Sequence, residues 1–142
     1  MPRRLPVLTM MLLLAGGFAL RAGDTPEARL EQARKLRDKR EPQAALDILE
    51  QLAKNPPPSL AGALSLELAK TRAVLALQQE VERRPAYLLK ARAELTAWVT
   101  DPKTADPAAV VEAARIDVLL GKATARQAAL TTDPRGAENL LT

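Results

Sequence analysis

From Glu41 to Glu82 the chain carries two apolar-periodic segments separated by three consecutive prolines. In the first, Ala45, Ile48, Leu49 and Leu52 recur at the i, i+3, i+4, i+7 spacing that aligns side chains on one helix face, with Asp47, Glu50, Gln51 and Lys54 opposite. Asn55 and Pro56 predict its end, because proline lacks a backbone donor and biases the preceding residue away from helix. Pro56 to Pro58 make a stiff corner, after which Ser59 is the expected N-cap of a second helix. There Leu60, Leu64, Leu66, Leu68, Ala69, Ala73, Val74 and Leu77 spread over more than one face. A helix apolar over so wide an arc is expected to be covered on two sides, which makes it the centre of the domain.

The same pattern, read along the rest of the chain, predicts further helices. Thr25 as N-cap, Pro26 at the first helical position and Glu27 in the first turn start one. It carries Leu30, Ala33 and Leu36 as a narrow stripe until a charged run and Pro42 end it. Arg83, Arg84 and Pro85 break the central helix from a fourth, expected over 86–99, with Leu88, Ala91, Leu95 and Trp98 on one face and Asp101-Pro102 closing it. Asp106 and Pro107 begin a fifth, with Ala109, Ala113, Ile116 and Leu120 inward and Gly121 as its expected C′ residue. A sixth segment over 123–130 stops before Asp133-Pro134, and the last residues add one amphipathic turn or fray.

Composition makes the chain all-α. Alanine and leucine supply 52 of the 142 residues, and both lose little side-chain entropy in a helix. With Phe18, Tyr87 and Trp98 as the only aromatics, the core must be aliphatic, with side chains small enough for helices to approach closely. Histidine and cysteine are both absent, which removes most transition-metal ligand sets, Cys nucleophiles, His-based triads and disulfides. No cofactor is expected.

The N-terminus predicts export. Arg3 and Arg4 precede an apolar run from Leu5 to Leu20, and polar sequence returns at Arg21, the layout of a secretory signal peptide with cleavage after Ala19 or Ala22. The alternative is an uncleaved membrane anchor, although a run of 16 residues broken by Pro6 and Gly16-Gly17 is shorter than the roughly 20 needed to span a bilayer. Either of these places the mature protein in the periplasm, the cell envelope or the exterior, and a buried soluble helix is the third reading of the run. Cleavage after Ala22 changes the balance of 21 Lys+Arg against 17 Asp+Glu to 18 against 17, because Arg3, Arg4 and Arg21 leave with the leader. A near-neutral domain lacks the basic stripe of nucleic-acid binders. One local cluster remains, Arg34, Lys35, Arg37, Lys39 and Arg40. It reads first as a solvated helix end favoured by the helix dipole, and second as a site for an acidic or phosphorylated partner.

Ala45, Leu49, Leu52 and Pro56 recur 46 residues later as Ala91, Leu95, Trp98 and Pro102, and 32 residues on as Ala123, Gln127, Leu130 and Pro134. A small residue lets two helices approach, large ones fill the groove, and a proline turns the chain, which is what a stacked hairpin array needs. The stretch Ala45 to Pro57 resembles the second helix of the tetratricopeptide repeat, with Pro57 at the expected offset. Ala33 and Leu36 stand for small and large packing positions of that family's first helix, without its Trp, Gly or Tyr, and spacings of 46 and 32 bracket its 34. The predicted organisation is a leader over 1–22, a helical-hairpin repeat domain of five to six helices over 25–131 and a tail over 132–142. Another α-solenoid and a plain antiparallel helix bundle are the alternatives.

The resemblance implies a binding scaffold without catalysis, whose first helices line a concave surface for a protein or peptide and present Arg34 and Arg37. A membrane-tethered envelope spacer is the alternative, and self-association through an uncapped final hairpin stays open. The enzymatic reading has little to draw on. Gly121-Lys122-Ala123-Thr124 resembles part of a phosphate loop, but Ile116 stands where its first glycine belongs and no strand is expected before it. Glu67, Glu80, Glu94, Glu112 and Asp117 are the carboxylates available for acid-base work or an oxygen-ligated metal, and their bland reading is as exposed helix-face charges.

Overall fold

A computed structural model of the chain describes residues 24–132; the predicted leader and the tail beyond Thr132 lie outside the described residues. The described chain is all-helical: α1 (Pro26–Asp38), α2 (Pro42–Ala53), a 3-10 turn (Pro58–Leu60), α3 (Ala61–Leu77), α4 (Arg84–Ala93), a short α5 (Thr96–Val99) and α6 (Pro107–Thr132). Helices adjacent in sequence pack as hairpins, α1 on α2 and α3 on α4, and the two hairpins stack through α2 and α3. α6 then packs on α4 and α3.

α1 begins as its sequence predicts, with Thr25 Oγ1 accepting from the Ala28 backbone N–H at 3.1 Å and Pro26 in the first turn. Its end is set by Arg40, which takes a positive φ of 66°. The Arg40 N–H donates to Arg37 O and the Glu41 N–H to Leu36 O, a Schellman closure that usually employs glycine at the left-handed position.

α3 is central for the expected reason. Its leucines Leu64, Leu68 and Leu75 join Leu30, Ala33, Ala45, Leu46, Leu49 and Leu52 in a core shared with α1 and α2. Its alanines Ala69, Ala73 and Ala76 join Leu88, Ala91, Leu95, Ala109, Ala113, Ile116 and Ala123 in a second core with α4 and α6. Small side chains on both sides of the second contact let the helix backbones approach closely, so a core with no buried aromatic still fills its volume.

Four local expectations need correction. Ser59 does not cap α3: it sits inside the 3-10 turn, and Leu60 precedes the helix without a side-chain cap. The fourth helix is not continuous over 86–99. It starts at Arg84 and stops at Ala93, and the Leu95 and Trp98 N–H groups bond three residues back, to Arg92 and Leu95, tightening the chain between α4 and α5. This bend lays the Trp98 ring over Gly62, where a Cβ would come within 3.2 Å of the indole. Finally, Gly121 does not end the fifth helix. α6 runs through it to Thr132, absorbing the predicted sixth segment, because one mid-helix glycine costs only about 1 kcal/mol relative to alanine. Ala123, Gln127 and Leu130 therefore lie on the second half of α6 and not on a separate second helix.

Candidate protein-docking site

The basic cluster of α1 is drawn inward. Glu67, one face-turn from Leu64 on α3, is only 4% exposed. It accepts Arg37 Nη1 on Oε2 and faces Arg34 Nε at 3.1 Å through Oε1, with Lys70 Nζ at 3.9 Å. Arg37 is 16% exposed and Arg34 39%. The two predicted partner-binding residues are thus brought together on one carboxylate between α1 and α3, Arg37 nearly covered and Arg34 still open to solvent. Glu31 (3.4 Å from Arg34) and Asp38 (3.7 Å from Arg37) complete the cluster, so its three cations face three carboxylates, of which Glu67 alone is buried.

The remaining carboxylates are also answered by arginines. Arg72 Nη2 donates to Glu50 at 3.0 Å, and its Nε lies 3.0 Å from Glu94 without pointing the hydrogen at it, so one guanidinium spans α2 and the end of α4. Arg92 Nε bonds both oxygens of Asp117, at 3.0 and 3.2 Å, tying α4 to α6. Arg115 grips Glu112 with Nη2 at 2.8 Å, and Arg83 lies 3.8 Å from Glu80. The reading of all five carboxylates as exposed is corrected for Glu67 and Glu112, which are buried. Glu67 falls inside the apolar arc of α3, and that position is the signal that marks it. Among the described residues no group of three or more acidic side chains is placed to hold a metal ion. Gly121 to Thr124 lie in mid-helix, where the backbone N–H groups are committed to the helix and form no phosphate cradle.

A recess opens where the C-terminus of α3, the start of α4 and the second half of α6 meet. Leu77, Leu119, Ala123 and Ala125 give it an apolar lining, Arg84, Lys122 and Arg126 a basic rim, and its volume is about 470 Å³. Arg84 is positioned by its own Nε, which donates to Gln79 O at 2.8 Å, and Gln127 Nε2 reaches Glu82 O at 3.4 Å, so the connection between α3 and α4 is tied to α4 and to α6. Leu77 is 45% exposed at the mouth. No protein-family model, curated protein or solved structure matches the chain. The recess and its charges therefore carry the functional reading by themselves. An apolar floor within a rim of cations suits a segment that offers apolar side chains and carboxylates together, such as an acidic amphipathic helix. Its residues come from three helices, at 77, 84 and 119–126, so no local spacing in the sequence announces it. Among the described residues, no helix is long and apolar enough to cross a membrane.

Proposed function

We propose that this protein is an exported, non-catalytic scaffold of tetratricopeptide-like hairpins that holds an acidic amphipathic segment of a partner protein. The observation that carries the reading is the recess between α3, α4 and α6, lined by apolar Leu77 and Leu119 and by basic Arg84 and Lys122. Arg34, 39% exposed although Glu67 and Glu31 both pair with it, is the cation that α1 leaves facing solvent beside this cluster. Support for a role without chemistry comes from the missing histidine and cysteine and from carboxylates engaged by arginines. Export is carried by Arg3-Arg4 and the apolar run that follows.

A photo-crosslinking residue at Leu77 tests the partner reading in the native envelope fraction. One dominant protein adduct is expected, lost when Arg84→Glu is added. Adducts that are absent, or indifferent to Arg84→Glu, refute it. Intact-mass measurement of the exported protein separates the soluble scaffold from the tethered spacer: retention of Met1 to Ala22 favours the spacer.

A further inference from the structure

We infer that two copies of this chain pair through the outward face of α6, parallel and in register. Val111, Ala114, Val118, Gly121, Ala125 and Ala128 follow one another at alternating spacings of three and four, the seam of a two-helix coil, and all are exposed. The larger side chains on this face are Val111, 70% exposed, and Val118, 58% exposed. A Cβ added at Gly121 meets no atom, so the seam is open at its middle. The opposite face of α6, with Ala109, Ala113 and Ile116, is already spent on the core. A helix apolar on both sides and covered on one has the pattern of α3 without its second neighbour.

Charge selects the occupant and its direction. Arg115 and Lys122 flank one edge of the seam and Asp117 flanks the other; Lys122 and Ala125 also border the recess, so a paired copy and an acidic segment compete there. Antiparallel pairing would set Arg115 and Lys122 of one copy against the same residues of the other. Parallel pairing sets Asp117 of each copy beside Lys122 of the other, twice over by symmetry. Arg92 bonds both oxygens of Asp117 within the chain, yet the carboxylate stays 52% exposed and accessible to a second cation. From Val111 to Ala128 the seam extends about 26 Å at the helical rise, and a helix pair of that length with small side chains buries on the order of 1,000 Å² in total, at the low end of specific interfaces. The pairing is accordingly reversible and concentration-dependent.

Sedimentation of the 142-residue chain from about 1 to 200 µM, a range suited to an interface of this size, is expected to show the apparent mass doubling. Because the chain has no cysteine, single-thiol variants report orientation cleanly. Val111→Cys, Val118→Cys and Ala125→Cys are each expected to form disulfide-linked dimers under mild oxidation, well above the level of Ala53→Cys on α2. Crosslinking confined to one of the three indicates antiparallel pairing and overturns the register. Lys122→Glu, which brings a carboxylate beside Asp117 of the other copy, should weaken self-association about tenfold, and Lys122→Gln should weaken it less. A chain that stays monomeric throughout, thiols that crosslink no more than Ala53→Cys, or self-association indifferent to Lys122→Glu overturns the inference.

Discussion

Glu67→Gln is the perturbation that most directly tests how the stack is held. The glutamine keeps the volume of the buried side chain but turns one acceptor oxygen into a donor facing guanidinium groups. Arg37, 16% exposed, loses a charge-assisted hydrogen bond in a largely desolvated setting, worth about 1.5–3 kcal/mol. Arg34, 39% exposed, loses a pair that water and salt already screen, worth less than about 1 kcal/mol. The sum is about 3 kcal/mol of destabilisation, read by urea denaturation followed by circular dichroism. Double-mutant cycles should apportion it unequally, with Glu67/Arg37 coupled by about 1.5–3 kcal/mol and Glu67/Arg34 by less than about 1 kcal/mol. High salt should erase only the smaller coupling. A Glu67/Arg37 coupling near zero, or one smaller than that of Arg34, would refute the argument that burial sets the hierarchy. The same geometry dictates how Arg34 and Arg37 are tested as partner contacts. Reversal to glutamate would press like charges on Glu67 and destabilise the α1–α3 contact, so glutamine is the substitution that isolates binding.

Three further substitutions follow from backbone geometry. Gly121→Ala should stabilise the monomer by about 1 kcal/mol, since the added methyl enters open space and alanine is the better helix former; Gly62→Ala should gain nothing or lose stability, because its methyl meets the Trp98 ring at 3.2 Å, and Trp98 fluorescence, the chain's only indole signal, reports the displacement. Opposite signs are expected in thermal unfolding at low protein concentration, and equal gains would refute the Trp98 contact. Arg40→Gly should stabilise by about 0.5–1 kcal/mol by relieving a side chain held at positive φ, and a loss of stability there would show that Arg40 contributes contacts of its own.

Much of the fold was legible because its signals are local. Thr25-Pro26 and Asp106-Pro107 mark helix starts through backbone chemistry confined to one turn, and the Asp106 carboxylate does accept the Ala108 N–H at 3.0 Å. The wide arc of α3 predicted its cover on two sides, which α1 and α2 supply on one and α4 and α6 on the other. What was not legible depends on contacts distant in sequence. Nothing near Leu95 signals a bend; it accompanies the seating of Trp98 over Gly62, 36 residues away. Gly121 is a good stop signal in isolation, but Ala123 packs into the core with Leu88 and Ile116, and that burial favours continuing the helix. Arg34 and Arg37 were conspicuous as charges, yet their setting was decided by Glu67 on another helix.

The recurrence of small, large and proline positions illustrates the difference between packing need and topology. At Ala45 and Ala91 the small residue lies in a helix that closes a hairpin, and both are fully buried. At Ala123 the small residue is buried as well, although no hairpin accompanies it, and Gln127, where a large apolar residue was expected, bonds the Glu82 carbonyl. The repeated spacing thus tracks where one helix must lie close to another, and a chain rich in alanine and leucine satisfies that need in more than one topology. This is why α6 can reuse the pattern on its inner face while carrying a second apolar face outward. Leaving Val111 and Val118 in water forgoes stabilisation of the order of 1 kcal/mol each, a cost that a paired copy would remove, whereas α3 meets the same requirement within one chain by accepting neighbours on both sides.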